Sequence, residues 1–310
     1  MTTKIGVIGM GHVGSTVAHA LIVEGVAQDY VLIDTNTAKV KADALDFEDA
    51  MANLDHFANI TVNDYAALGD ADVIVSALGN IDLQNNTSDD RFAEFPFTSK
   101  AAKSVAEQIK ASGFNGVIVV ISNPVDVITS IYQKYSGLAK AQVIGTGTLL
   151  DSARMKRAVG QRLNLNPKSV FGYNLGEHGN SQFTAWSQVR VKGQSIEQLA
   201  TDLGLDLDEL SHESIVGGHT VFRGKLYTNY GVASAAVALV KVVLSDAKVE
   251  LPVSNYYEPL NTYLSYPAVV GRQGILEQAK LTLTDAEEEK LALSAKYIKE
   301  KFEGFQAQQN

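Results

Sequence analysis

The sequence predicts an α/β protein with a doubly wound parallel sheet and a second, α+β substrate domain. Short apolar runs recur at residues 5–8, 73–76, 117–121 and 143–144, and helical patterns such as 99–109 lie between them. Runs that are apolar throughout are typical of parallel strands covered on both faces. A glycine-rich turn follows the first run. Ligands bind at the carboxyl ends of such strands, so a site is expected there.

The stretch from Lys4 to Asp34 has the order strand, glycine turn, helix, strand and acid. The glycines allow a tight turn, close approach of a pyrophosphate and close packing of the helix on the strand. Asp34 falls about 20 residues after the last glycine, where a carboxylate accepts ribose hydroxyls and repels a 2′-phosphate. We therefore predict a Rossmann-type site for NAD. Its predicted cofactor-binding residues are Gly9, Met10, Gly11, His12, Val13, Gly14 and Asp34.

Length, charge and cysteine content limit the function classes. A chain of 310 residues suits about two domains. The net charge of -9, with no long basic run, disfavours nucleic acid and anionic membranes as partners. The absence of cysteine excludes disulfides, thiolate metal sites and a cysteine nucleophile. No secretion signal or membrane-spanning apolar run is seen, so a cytoplasmic protein is expected. We also expect no bound metal.

Four charged or titratable residues stand where a site is expected, although each has an ordinary explanation on its own. Arg91 lies in the polar stretch 80–94, where a solvated cation is common. Asp151 and Arg154 share a helix face and could form a surface ion pair. His178 lies between glycines, and a loop histidine is more often structural or solvated than catalytic.

Five motifs, in order and spacing, resemble the lactate and malate dehydrogenase family. They are the glycine turn at 9–14, Asp34, SNPVD at 122–126, GTGTLLDSAR at 145–154 and LGEHG at 175–179. The likeness covers nearly the whole chain. It implies a small 2-hydroxy or 2-oxo acid as substrate, and a homo-oligomer, either a tetramer or a dimer. We place a dinucleotide-binding domain at 1–145 and a substrate domain at 146–310, because the nucleotide pattern ends near Gly145.

The resemblance also implies roles for single residues. The implied set is His178 as acid/base, Asp151 as its carboxylate partner, Arg154 as the fork for the substrate carboxylate, Arg91 as the lid cation, Asn123 beside the reacting oxygen and next to the cofactor, and Thr228 near the substrate side chain. The residue types suit the chemistry: imidazole exchanges a proton near neutral pH, and a guanidinium binds a carboxylate bidentately.

Departures from the family pattern concern the substrate. Malate-specific members carry a second lid arginine, whereas residues 79–90 contain no lysine or arginine and include Ile81 and Leu83. Within the family the chain most resembles the L-2-hydroxyisocaproate dehydrogenase type, which predicts a preference for medium-length or branched aliphatic acids. The alternatives are an L-lactate dehydrogenase, a malate dehydrogenase or a non-catalytic NAD-binding protein. The NAD-dependent glycosidases need a cysteine site that this chain lacks.

Two further positions concern regulation. Lys156 and Phe171 stand where lactate enzymes activated by fructose bisphosphate carry arginine and histidine. The pattern of the second half predicts antiparallel strands at 183–191 and 249–257, a helix at 231–244 and a capped C-terminal helix after Thr284.

Overall fold

The computed structural model describes residues 2–85 and 92–309. Its first half alternates strands and helices, as the sequence predicts. The strands are β1 (Lys4–Ile8), β2 (Asp29–Ile33), β3 (Asn59–Val62), β4 (Val73–Ser76), β5 (Val117–Val120) and β6 (Val143–Gly145). The helices are α1 (His12–Val23), α2 (Thr37–Met51), α3 (Ile81–Asn85), α4 (Phe95–Ala111), α5 (Val125–Ser136) and α6 (Leu149–Arg162).

These six strands pair in parallel in the order β6-β5-β4-β1-β2-β3. The order reverses between β1 and β4, which creates a crevice at the carboxyl ends of both strands. The predicted doubly wound Rossmann sheet is confirmed.

Helices cover the sheet on both faces. One apolar cluster joins the sheet to α4, α5 and residues near the C-terminus, and another joins it to α1, α2 and residues 233–243. Strands β4 and β5 are fully buried because both of their faces are covered. Each buried valine or isoleucine contributes roughly 1.5–3 kcal/mol to stability by leaving water.

The second half begins with short strands and ends with a long hairpin and a helix. Its elements are β7 (Val170–Phe171), β8 (Asn174–Leu175), β9 (Phe183–Thr184), β10 (Arg190–Val191), β11 (Gln194–Ser195), α7 (Ile196–Leu203), α8 (Leu207–Lys225), α9 (Tyr230–Ser245), β12 (Val249–Tyr257), β13 (Thr262–Gly271), β14 (Gly274–Gln278) and α10 (Asp285–Ala307). The prediction of one strand across 183–191 is wrong, because a 3₁₀ turn at Trp186–Gln188 separates β9 from β10.

The other predicted strands and helices of the second half are confirmed. Strand β12 is antiparallel to β13, and α9 spans the predicted helix. Helix α10 begins after the capping residue Thr284, whose hydroxyl accepts a hydrogen bond from the Glu287 N–H. Among residues 2–85 and 92–309 no single helix has the length and apolar character to cross a membrane; α8 and α9 meet that test only as a pair bent by 116°.

The sheet continues across the predicted domain boundary at residue 145. Strand β12 pairs antiparallel with β6 at Ser254 and Gly145, and β13 and β14 extend the sheet further. The position of the boundary stays a prediction. Because β12 pairs with the last residue of β6, elements from the second half lie beside the carboxyl end of a first-half strand.

Candidate active site

The glycine turn after β1 has the geometry that a phosphate site requires. Gly9 has φ +90°, and a Cβ on Gly14 would lie 1.8 Å from the Gly9 carbonyl oxygen, so both positions need glycine. A Cβ on Gly11 would meet no atom within 4 Å. Open space therefore lies beside the Gly11 backbone, at the N-terminus of α1, where a pyrophosphate would be held.

Asp34 closes this site at the end of β2. One carboxylate oxygen accepts the Met10 N–H at 2.6 Å and the other accepts the Asn36 N–H at 2.8 Å. These bonds hold the carboxylate beside the glycine turn, and each oxygen keeps a further lone pair for a ribose hydroxyl. The residues fit NAD on this observation.

A cavity of about 660 Å³ runs from this turn towards the second half of the chain. The predicted site residues that line it are Gly9, Gly11, His12, Val13, Asp34, Asn123, His178 and Thr228. Met10 does not line it: the side chain is fully buried in the core, and only the backbone N–H serves the site, through Asp34. Gly14, Asp151 and Arg154 do not line it either, so the cavity joins the predicted cofactor residues to Asn123, His178 and Thr228.

The loop that carries His178 follows β8. Gly176, at its start, exchanges two backbone hydrogen bonds with Ser265 of β13 at 3.0 and 2.8 Å. A Cβ on Gly176 would lie 2.5 Å from the Ser294 hydroxyl oxygen, and its φ is +89°. Only glycine allows the chain to turn this close to α10. The loop then brings the His178 N–H to the Asp126 carboxylate at 2.8 Å.

His178, Asp151 and Arg154 form one connected group. Asp151 Oδ2 lies 2.5 Å from His178 Nδ1, and Asp151 Oδ1 accepts from Arg154 Nη1 at 3.1 Å. Because a carboxylate can only accept, the proton of a neutral imidazole sits on Nδ1, and Nε2 is left to exchange a proton with substrate. Asp151 is 3% exposed, so its charge acts on both neighbours with little screening by water.

Two of the remaining predicted residues, Asn123 and Thr228, line the same cavity as His178. Asn123 follows β5, and its carbonyl oxygen accepts from the Thr98 hydroxyl at 2.9 Å; its peptide bond to Pro124 is cis. Thr228 lies between α8 and α9. Arg91, the predicted lid cation, lies outside the described residues. Its role stays a prediction.

The segment that carries Thr228 is attached to the cofactor site. The Asn229 amide donates to the Thr16 hydroxyl of α1 at 3.1 Å and accepts from Lys225 Nζ at 2.5 Å. The Tyr227 ring stacks on His12, with centroids 3.8 Å apart and planes 2° from parallel. These contacts place the predicted substrate residue next to the first turn of α1.

Two buried carboxyl groups of the site were not predicted from the sequence. Asp126 belongs to the quoted SNPVD motif but received no role, and its contact with the His178 N–H spans 52 residues. Glu94 lines the cavity and accepts from the Asn80 N–H, so it connects the two ends of the segment 80–94. Burial raises the pKa of Glu94. In the sequence alone, Asp126 and Glu94 look the same as acidic residues on a protein surface.

Two family models together match most of the chain. Residues 3–145 match the family model described as lactate/malate dehydrogenase, NAD binding domain, and residues 148–309 match the model of the alpha/beta C-terminal domain of the same family. This chain belongs to the lactate/malate dehydrogenase family. It is an NAD-dependent 2-hydroxyacid dehydrogenase, as the sequence predicts.

Three L-lactate dehydrogenases are similar to this chain over nearly its full length. L-lactate dehydrogenase 1 of Bifidobacterium longum subsp. longum is 35% identical over 310 residues, covering 97% of each chain. L-lactate dehydrogenase of Mycoplasma capricolum subsp. capricolum is 36% identical over 303 residues, covering 95% of each chain. The crystal structure of minor L-lactate dehydrogenase from Enterococcus mundtii, in a ligand-bound form, superposes with a TM-score of 0.91 at 31% identity, covering 98% of each chain.

Proposed function

We propose that this protein interconverts L-2-hydroxy monocarboxylic acids and 2-oxo acids, with L-lactate and pyruvate as the first candidate pair. The observation that carries the proposal is the connected group of His178, Asp151 and Arg154 beside a cavity that continues into the dinucleotide site. The names of the relatives above support lactate within this class.

The residues of the chain divide the chemistry among them. NADH, when bound, supplies the hydride that reduces the 2-oxo group. His178 Nε2 donates the proton that the new alkoxide oxygen needs, and Asp151 stabilises the imidazolium beforehand. The charged fork of Arg154 binds the substrate carboxylate and so orients C2. Arg91 is proposed to polarise the carbonyl from the lid, and Asn123 to donate to the same oxygen.

The cofactor roles are part of the proposal. Gly11 and the first turn of α1 would hold the pyrophosphate, with His12 and Val13 on the cavity wall. Asp34 would accept the ribose hydroxyls. Asn123 lines the same cavity and would also contact the cofactor.

A second candidate is a dehydrogenase that prefers medium-length or branched 2-oxo acids such as 2-oxoisocaproate. Ile81 lines the cavity at the start of the predicted lid, and Leu83 is 39% exposed in the same short helix. These apolar side chains favour an aliphatic substrate side chain. Each methylene buried against them adds about 0.8 kcal/mol, or roughly fourfold, to transition-state binding.

Turnover of a substrate panel separates these candidates. We expect kcat/KM for oxaloacetate to fall below that for pyruvate by roughly 10² or more, because residues 79–90 offer no cation to the second carboxylate. The measurement compares pyruvate, oxaloacetate and 2-oxoisocaproate at one pH, with chiral analysis of each product. A maximum for pyruvate supports lactate, and a maximum for 2-oxoisocaproate supports the second candidate. A preference for oxaloacetate, or a D product, contradicts the proposal.

We expect fructose 1,6-bisphosphate to leave the enzyme unaffected. Lys156 is half-buried, and its Nζ lies 5.9 Å from the centroid of the Tyr173 ring. Burial lowers the pKa of the Lys156 ammonium group. Phe171, 64% exposed, cannot donate a hydrogen bond to a phosphate. The test records rate against pyruvate concentration with and without the sugar bisphosphate. A sigmoidal curve that becomes hyperbolic would contradict this expectation.

A homo-oligomer, either a tetramer or a dimer, is part of the proposal. Large apolar side chains such as Phe57 and Tyr230 are 77% and 70% exposed in the single chain. Sedimentation analysis tests it, and a monomer at working concentrations would contradict it.

A further inference from the structure

Asp126 is a buried carboxyl group behind the predicted proton donor. It lies in the first turn of α5, is 1% exposed, and belongs to neither the cofactor set nor the substrate set. Its Oδ2 accepts the His178 N–H at 2.8 Å. A carboxyl group removed from water is costly unless it is bonded or protonated, so its presence at this point needs a reason.

The other oxygen of Asp126 faces a hydroxyl without completing a bond. The Ser254 hydroxyl of β12 acts on the carboxyl and lowers its pKa, yet neither Asp126 Oδ1 nor Ser254 Oγ has a hydrogen-bond partner among the described residues. Both atoms are fully buried. A proton on Oδ1, or the rotated hydroxyl, would join these two atoms to each other. The site therefore accepts Asp126 in either protonation state.

The charges around Asp126 come from the loop that carries His178. The pKa of Asp126 is raised to about 7, chiefly by burial; the Glu177 charge also raises it, whereas the Ser254 hydroxyl, the His178 N–H and the His178 charge lower it. Glu177 is itself buried, and its carboxylate accepts from the Ser181 N–H and hydroxyl at 3.1 and 2.6 Å. The His178 N–H is therefore the bonded partner of Asp126, and Glu177 is a like charge on the same loop.

We propose that Asp126 is a positioning residue for His178: its carboxylate holds the loop that carries the imidazole, through the bond to the His178 N–H. The residue acts through His178 and does not touch substrate. This inference rests on the proposed role of His178 as proton donor, so one of its readouts must be independent of turnover.

Two substitutions separate the hydrogen bond from the charge. Asp126→Ala leaves the His178 N–H without an acceptor, and we expect kcat/KM for the 2-oxo acid to fall about 10-fold or more while NADH affinity stays within about twofold. Asp126→Asn keeps an acceptor for the N–H and offers an amide donor to Ser254, so it should recover most of the activity. The control is Ser130→Ala on the same helix, which removes only a bond to the Asp126 carbonyl oxygen.

A readout independent of turnover is the chemical reactivity of the His178 ring. Diethyl pyrocarbonate modifies imidazole, so its rate at His178 at one fixed pH, followed by peptide mass spectrometry in the NADH complex, reports how the ring is held. We expect this rate to change at least about twofold in Asp126→Ala and to stay within about twofold of the wild type in Asp126→Asn and Ser130→Ala, because only the alanine removes the acceptor of the His178 N–H.

Each outcome decides the inference. A modification rate that changes in Asp126→Ala and is restored in Asp126→Asn supports it; if Asp126→Ala fails to fold, Asp126→Leu, which fills the space without an acceptor, takes its place. A modification rate in these variants equal to that of the wild type, or a loss of activity no larger than in Ser130→Ala, overturns it. If the wild-type protein reduces no 2-oxo acid, the proposed function fails, while the modification experiment still tests the link between Asp126 and His178.

Discussion

Replacing His178 by asparagine is expected to lower kcat/KM for 2-oxo acid reduction by at least about 10² while NADH affinity changes little. Asparagine retains a hydrogen-bonding side chain towards Asp151 but cannot deliver a proton to the alkoxide. For the wild type, reduction should fall at high pH, because only the protonated imidazole donates. Steady-state rates and NADH titrations measure both effects.

A second histidine provides the matched control for this substitution. His212 is exposed on α8, away from the cavity, so His212→Asn should leave both kcat/KM and NADH affinity unchanged. If His178→Asn weakens NADH binding as much as it lowers turnover, the histidine supports the cofactor site and is not the proton donor.

Replacing Arg154 by lysine is expected to raise KM for the 2-oxo acid, with a fall in kcat/KM of roughly 10² or more. Lysine keeps the charge but loses the planar fork that grips both carboxylate oxygens. It would also direct its point charge at Asp151, which Arg154 now contacts through one nitrogen at 3.1 Å. Kinetics with pyruvate, together with the thermal midpoint of unfolding, separate loss of binding from loss of fold.

The control for Arg154 lies one turn along the same helix. Arg157 contacts Gln161 at 2.8 Å on the surface of α6, so Arg157→Lys should have little effect on KM. Equal effects of the two substitutions would show that charge near α6, and not the fork of Arg154, carries substrate binding.

Local patterns predicted the framework of the site. The apolar runs of β4 and β5 and the glycines at 9, 11 and 14 are set by burial and by close backbone approach, which act within a few residues. The contact between His178 and Asp151 spans 27 residues, and only the resemblance to a family indicated it. Asp126 went unassigned because its partner is a backbone N–H 52 residues away, which no side-chain pattern marks.

The error at 183–191 has a similar cause. Alternating apolar residues predicted one strand, but the Val189 N–H bonds to the Trp186 carbonyl at 3.0 Å and closes a turn in the middle of the run. Local hydrogen bonding there prevails over the period-two pattern. The segment 79–91, where we predict the specificity position, is apolar at Ile81 and Leu83 but allows no unique alignment with the family.

The proposal that His178 and Arg154 together hold and protonate the 2-oxo acid can be tested by a crystal structure of the enzyme with NADH and oxamate, an unreactive analogue in which an NH2 group replaces the methyl group of pyruvate. We expect both carboxylate oxygens on the Arg154 guanidinium, and the C2 oxygen within about 3 Å of His178 Nε2. An analogue carboxylate bound away from Arg154, or a His178 ring turned from the C2 oxygen, would contradict it.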